Sequence, residues 1–166
     1  MTEMTARTEG LEFVLERVFQ APKEKVFAAF TQCEHLKHWW GPRGWELTAC
    51  TLDLRPEGVW HYCMTCRDES QGDFFGMESW GKGVYREIDA PNFFVYTDYF
   101  SDAEGGINAE LPPSDVTMIF EEAEGGGTLV KARTKYDSEE SLKTVIEMGM
   151  EQGVRETWDR LEEYLR

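Results

Sequence analysis

The sequence predicts an α+β domain: one strand, two short helices, a long antiparallel meander of strands and a long C-terminal helix. Three observations predict it. A segment rich in β-formers, Leu11 to Gln20, runs directly into a proline-led apolar helix pattern. From Trp45 to Tyr136, partly alternating segments are separated by clusters of turn residues. The last stretch, from Asp137 onward, repeats apolar residues at helical spacing. A chain of 166 residues closes one core without disulfides or metal, so residues 11–166 are expected to form a single domain behind a disordered or extended N-terminus, residues 1–10.

The elements follow in order. After the first strand, Pro22 sits where a first helical turn tolerates proline, and Val26, Phe27 and Phe30 give the helix its apolar face. Thr31 and Glu34 have capping-box spacing and start a second short helix, which Gly41-Pro42 must end. The meander breaks at Pro56-Glu57-Gly58, Asp68 to Gly72, Ala90-Pro91-Asn92, Ser101 to Pro113 and Gly125-Gly126-Gly127. In one strand Trp60, Tyr62 and Met64 share a face opposite Val59, His61, Cys63 and Thr65, the one-sided pattern of an antiparallel sheet. Asp137 or Ser138 caps the final helix, with Glu139 and Glu140 where the helix dipole favours negative charge. Its sheet-facing side is expected to carry Leu142, Ile146, Gly149, Met150, Gly153, Thr157 and Leu161. Two glycines inside a helix each cost roughly 0.5–1 kcal/mol relative to alanine. Close packing on the sheet, or a volume left open between helix and sheet, would account for them.

Five segments carry a family resemblance. They are Phe19 to Phe27 (FQAPKEKVF), Leu36 to Pro42 (LKHWWGP), Asp53 to Trp60 (DLRPEGVW), Gly83 to Ile88 (GVYREI) and Gly153 to Leu165 (GVRETWDRLEEYL). In that order they resemble the START-like, or SRPBCC, helix-grip superfamily, and within it the branch of the activator of the heat-shock chaperone ATPase. The resemblance implies a curved sheet gripping the C-terminal helix, with a cavity between them that holds apolar or amphipathic molecules in many members. It implies no single activity: some relatives bind lipids or hormones, some are cyclases or aromatases, and the chaperone activators work through protein contact. The chain departs from the pattern where many relatives have Gly-Gly before the strand aromatic; here Glu57-Gly58 stands.

Composition narrows the partners. Acidic residues outnumber basic ones 32 to 17, giving a formal charge of −15 that repels nucleic-acid backbones. No apolar run has the length of a signal peptide core or a transmembrane helix, so no integral membrane association and a cytoplasmic setting are expected. Cys33, Cys50, Cys63 and Cys66 are too few for a disulfide scaffold. Cys63-Met64-Thr65-Cys66 spells CxxC, but within a strand that spacing puts the thiols on opposite faces, and a redox pair normally starts a helix. His35 and His38 share a helix face without a second ligand pair, so no metal is expected. No Ser/His/Asp set, phosphate loop or GxGxxG occurs, and no cofactor is implied.

What remains is the aromatic residues. The stretch EHLKHWWGPRGW places Trp39, Trp40 and Trp45 around a helix stop, where they are expected to form the mouth of the cavity with the histidines on its rim. Trp60, Tyr62, Trp80, Phe94, Tyr96, Phe120 and Trp158 are expected to line it, with Met64, Met118 and Met150 as adaptable filler and Gly149 and Gly153 leaving the gap. These residues either hold a flat apolar ligand or fill the core themselves. The leading expectation is binding of a small apolar or aromatic molecule. An enzyme would instead need a cavity carboxylate or histidine, for which Glu78, Glu46 and His61 are the candidates. A third class is chaperone regulation through protein contact, and exposed strand edges permit a homodimer.

Overall fold

A computed structural model describes residues 3–166. Strands β1 (Thr5–Glu9) and β2 (Glu12–Phe19) precede helices α1 (Lys23–Thr31) and α2 (Cys33–Leu36). Six strands follow: β3 (Trp45–Leu52), β4 (Val59–Cys66), β5 (Glu78–Asp89), β6 (Phe93–Ser101), β7 (Ser114–Glu122) and β8 (Thr128–Lys135). The chain ends in α3 (Glu139–Glu147) and α4 (Met150–Leu165). All eight strands form one antiparallel sheet in the order β1-β2-β8-β7-β6-β5-β4-β3. The meander is thus continuous, with β2 inserted beside its last strand. Strand β1 lies ahead of the expected domain start at residue 11 and pairs with β2. No helix among the described residues is long and apolar enough to cross a membrane.

The sheet bends where its ladders slip, between Leu47 and Ala49 in β3 and between Tyr85 and Glu87 in β5. Each slip inserts one extra residue, which kinks the strand and raises its twist. The concave face so formed receives α1, α4 and the core residues Phe19, Phe27, Phe30, Phe120 and Trp158. Helix α4 is fastened there by Arg17 of β2, whose buried guanidinium reaches Asp159 at 2.7 Å and Glu162 at 3.3 Å.

The turn before β4 explains the departure at Glu57-Gly58. A Cβ on Gly58 would stand 2.1 Å from the Asp53 carbonyl oxygen, so only glycine fits. Glu57 takes φ +67°, a left-handed conformation that side chains disfavour. Glu57→Gly is therefore expected to raise stability by about 0.5–1 kcal/mol. Thermal unfolding tests this, and a lower midpoint would mean that the exposed Glu57–Arg86 ion pair at 3.0 Å outweighs the backbone strain.

Three expectations are corrected. Thr31 does not cap α2: it ends α1, and its hydroxyl donates to the Phe27 carbonyl at 2.9 Å. The final helix is two helices. Ser138 caps α3, and Gly149, at φ +83°, turns the chain into α4. Gly149 is thus a joint rather than a helix interior, and it needs glycine's freedom at positive φ. Because α3 packs in its own orientation, Val145 is buried where Ile146 was expected, and Ile146 is exposed. Finally, Cys33 and Cys50 form a disulfide that ties α2 to β3, which the cysteine count did not predict, while Cys63 and Cys66 are buried free thiols.

Candidate functional site

A cavity of about 200 Å³ lies between the concave sheet face and α4. Strand register builds its floor in rows. Phe94, Met118, Ala132 and Leu15 face one another across β6, β7, β8 and β2, giving an apolar row. Tyr96, Val116 and Thr134 make the next row. Asp98 and Ser114 make the third, with Tyr136 just beyond the end of β8. The floor is therefore graded from apolar to polar over the five residues Phe94 to Asp98 of β6. Phe30 of α1, Trp40 of the loop after α2, and Met150, Val154 and Trp158 of α4 close the roof, and Trp60 stands at the β4 side.

Glycines on β5 make room for the aromatic wall. A Cβ on Gly81 would meet the Tyr62 ring at 2.4 Å, and one on Gly83 would meet Tyr96 at 3.0 Å. Tyr62 and Tyr96 consequently lie over the strand itself. Trp60 stacks on Tyr62 at 4.4 Å, and Trp40 meets Trp60 edge-on at 4.8 Å.

The polar row holds the unusual group. Asp98 Oδ1 is fully buried and has no hydrogen-bond partner, and burial pushes its carboxyl up to about 7. No Lys, Arg or His stands among the described residues lining the cavity. Burial first, then the Asp98 charge, raises the phenols of Tyr62 and Tyr96 well above their ordinary value. Tyr136 is pushed up to about 12 by the same two causes, against the opposing effect of its hydrogen bond with Ser114. The Nε1 groups of Trp40 and Trp60 are also buried without a partner.

Seven expected residues meet at this cavity: Trp40, Trp60, Phe94, Tyr96, Met118, Met150 and Trp158. The others do not line it. Trp39 is fully buried in the core, packed against Phe30, and donates to the Ala29 carbonyl. Trp45 lines a separate shallow polar cleft with Arg43, Glu46 and Arg160. The tryptophans of the opening stretch therefore part into three environments. Tyr62 backs the wall behind Trp60, and Met64 packs beside Gly41. Phe120 belongs to the core around Phe27 and Phe30. Glu78 is exposed, and Trp80 stacks on His61. His61 bonds the Asp102 carbonyl, and Glu46 is exposed, so none of the three proposed acid–base candidates faces the cavity. Gly149 and Gly153 lie outside the lining, and the gap instead follows Met150, Val154 and Trp158, four residues apart along one helix face.

Sequence reasoning missed Asp98, although its signal was present. Phe94, Tyr96 and Asp98 alternate along β6, so a carboxylate shares the face of two aromatics already assigned inward.

Comparison with known proteins agrees with this architecture. A family model for "Activator of Hsp90 ATPase homolog 1-like protein" matches residues 20–166. A crystal structure of a Mycobacterium smegmatis protein is similar at 27% identity and TM-score 0.85, covering 99% of this chain and 96% of that one. A solution structure from Arthrobacter aurescens is similar at 28% identity and TM-score 0.85, covering 97% and 90%. One from Staphylococcus epidermidis is similar at 28% identity and TM-score 0.81, covering 98% and 93%. No curated protein matches in sequence.

Proposed function

The chain belongs to the Activator of Hsp90 ATPase homolog 1-like family, and from that premise we propose that it binds a small apolar or aromatic molecule between α4 and the sheet. The observation that carries this reading is the graded cavity, aromatic along its walls and polar at one end. Binding draws on apolar area removed from water, about 25 cal/mol per Å² before entropic costs. The polar row sets the orientation.

Native mass spectrometry of the freshly purified protein, set against its denatured mass, is the test. A retained small molecule is expected, and Val154→Trp, which fills the roof, should lose it while remaining folded. Gly153→Leu is the control: its side chain enters open space outside the lining and should leave uptake intact. A clean apo mass, with no response to a panel of apolar probes, would mean that the aromatics serve only the core.

The family description supplies a second reading, chaperone regulation through protein contact. The exposed Phe74, Phe75 and Met77 before β5 offer such a contact an apolar surface. A pull-down that recovers no heat-shock chaperone would remove it.

A further inference from the structure

The unmet groups of the cavity specify more than an apolar body. Asp98 Oδ1 is buried without a partner at the end of the floor. The titratable groups whose charges couple to it are the phenols of Tyr62, Tyr96 and Tyr136, from β4, β6 and the end of β8, and none is a cation. The strand positions beside it, Gly83 on β5 and Ser114 on β7, bring no charge either. From the roof, Met150, Val154, Phe30, Trp40 and Trp158 are all uncharged. A buried carboxylate is stabilised by a cation or by donors, and the described lining supplies no cation.

Three observations favour a cation brought by the ligand. The carboxyl oxygen lacks a partner. Trp60 and Tyr96, which meet edge to face at 6.1 Å, both line the cavity, and an aromatic ring holds an ammonium over its face. The net charge of −15 concentrates cations around the protein and disfavours anions. We propose that the cavity takes an organic amine in its ammonium form, with the ring body on the apolar rows and the ammonium against Asp98 Oδ1. This rests on the ligand-binding reading above. A cavity of about 150 Å³ holds benzene, so 200 Å³ fits a one-ring or small two-ring body. The unpartnered indole N–H groups of Trp40 and Trp60 would in addition donate to an oxygen substituent on that body.

Three probes with one ring and different heads test this: 2-phenylethylamine, 2-phenylethanol and 3-phenylpropionate, titrated by calorimetry. At about pH 8, where Asp98 is ionised, the amine should bind at least about tenfold more tightly than the alcohol, and the acid more weakly than both. The isosteric Asp98→Asn should bring amine and alcohol to within about threefold of each other. Lowering the pH to about 6 should shrink the amine's advantage as the carboxyl takes up a proton. Alcohol binding as tightly as the amine to the wild type overturns the proposal and leaves the cavity reading standing, as does an amine preference that survives in Asp98→Asn. Binding of no probe overturns both.

Discussion

Arg17→Ala is expected to lower the unfolding free energy by about 3–5 kcal/mol, because it removes the buried cation that Asp159 and Glu162 share. The Arg17 side chain is 1% exposed and lies between β2 and α4, its guanidinium above the Phe19 ring at 5.4 Å. It meets Asp159 at 2.7 Å and Glu162 at 3.3 Å. The two acids differ in what they do when abandoned. Asp159 is 29% exposed and can rehydrate, whereas Glu162 is 9% exposed and cannot. Arg166, 3.8 Å away from Glu162, compensates only from the exposed side. Pairing Arg17→Met with Glu162→Leu removes both charges and should recover most of the loss, since a well-packed apolar pair often matches a buried ion pair. Urea unfolding of the single and double variants reads this out. A loss below about 1 kcal/mol in Arg17→Ala would mean that the pair contributes no more than a surface salt bridge. The same variant bears on ligand uptake, because α4 carries Val154 and Trp158 into the cavity roof.

The parts of this fold legible in the sequence are those decided locally. Ala90-Pro91-Asn92 and Gly125 to Gly127 break the meander because their backbone demands are written in their own residues, and strands stand on either side of both. Gly149 reads differently from sequence and structure for the same reason in reverse. A glycine within a helical pattern is tolerated, and only the turn from α3 into α4 sends it to positive φ. The Cys33–Cys50 pair spans 17 residues and depends on α2 lying over β3, a tertiary fact. At the site, adjacent tryptophans on an irregular loop have no period to sort them, so Trp39, Trp40 and Trp45 could not be told apart. Asp98 did have a period. A strand carboxylate is by default assigned to the wet face, and here that default concealed the one carboxylic acid in the described lining.

That acid should also make stability depend on pH in a direction opposite to the usual carboxylate. Most carboxylates are stabilised as anions in the folded state, so stability rises with pH through their titration. Asp98 is the reverse case: burial favours its neutral form, so the folded protein holds the proton up to about 7, against 3.8 for the ordinary group. Between those values the folded state binds the proton and the unfolded state does not. The contribution is therefore fully present below the unfolded value, falls as pH rises, and is gone above the folded one. A gap of about three pH units at about 1.4 kcal/mol each makes the whole effect about 4 kcal/mol. With a sequence pI near 4.6, solubility favours measurement from about pH 5.5 to 8, where about 2 kcal/mol of the fall should be seen. The measured quantity is the difference between wild type and Asp98→Asn in urea unfolding, which cancels the other acids. That difference should decline toward neutrality and then level off. A flat or rising difference would show that water reaches the carboxylate and keeps it ionised, and Asp98 would then lose its standing as the polar pole of the cavity. If an ammonium ligand is added, the decline should flatten, because the bound cation supplies the partner that the ionised carboxylate lacks.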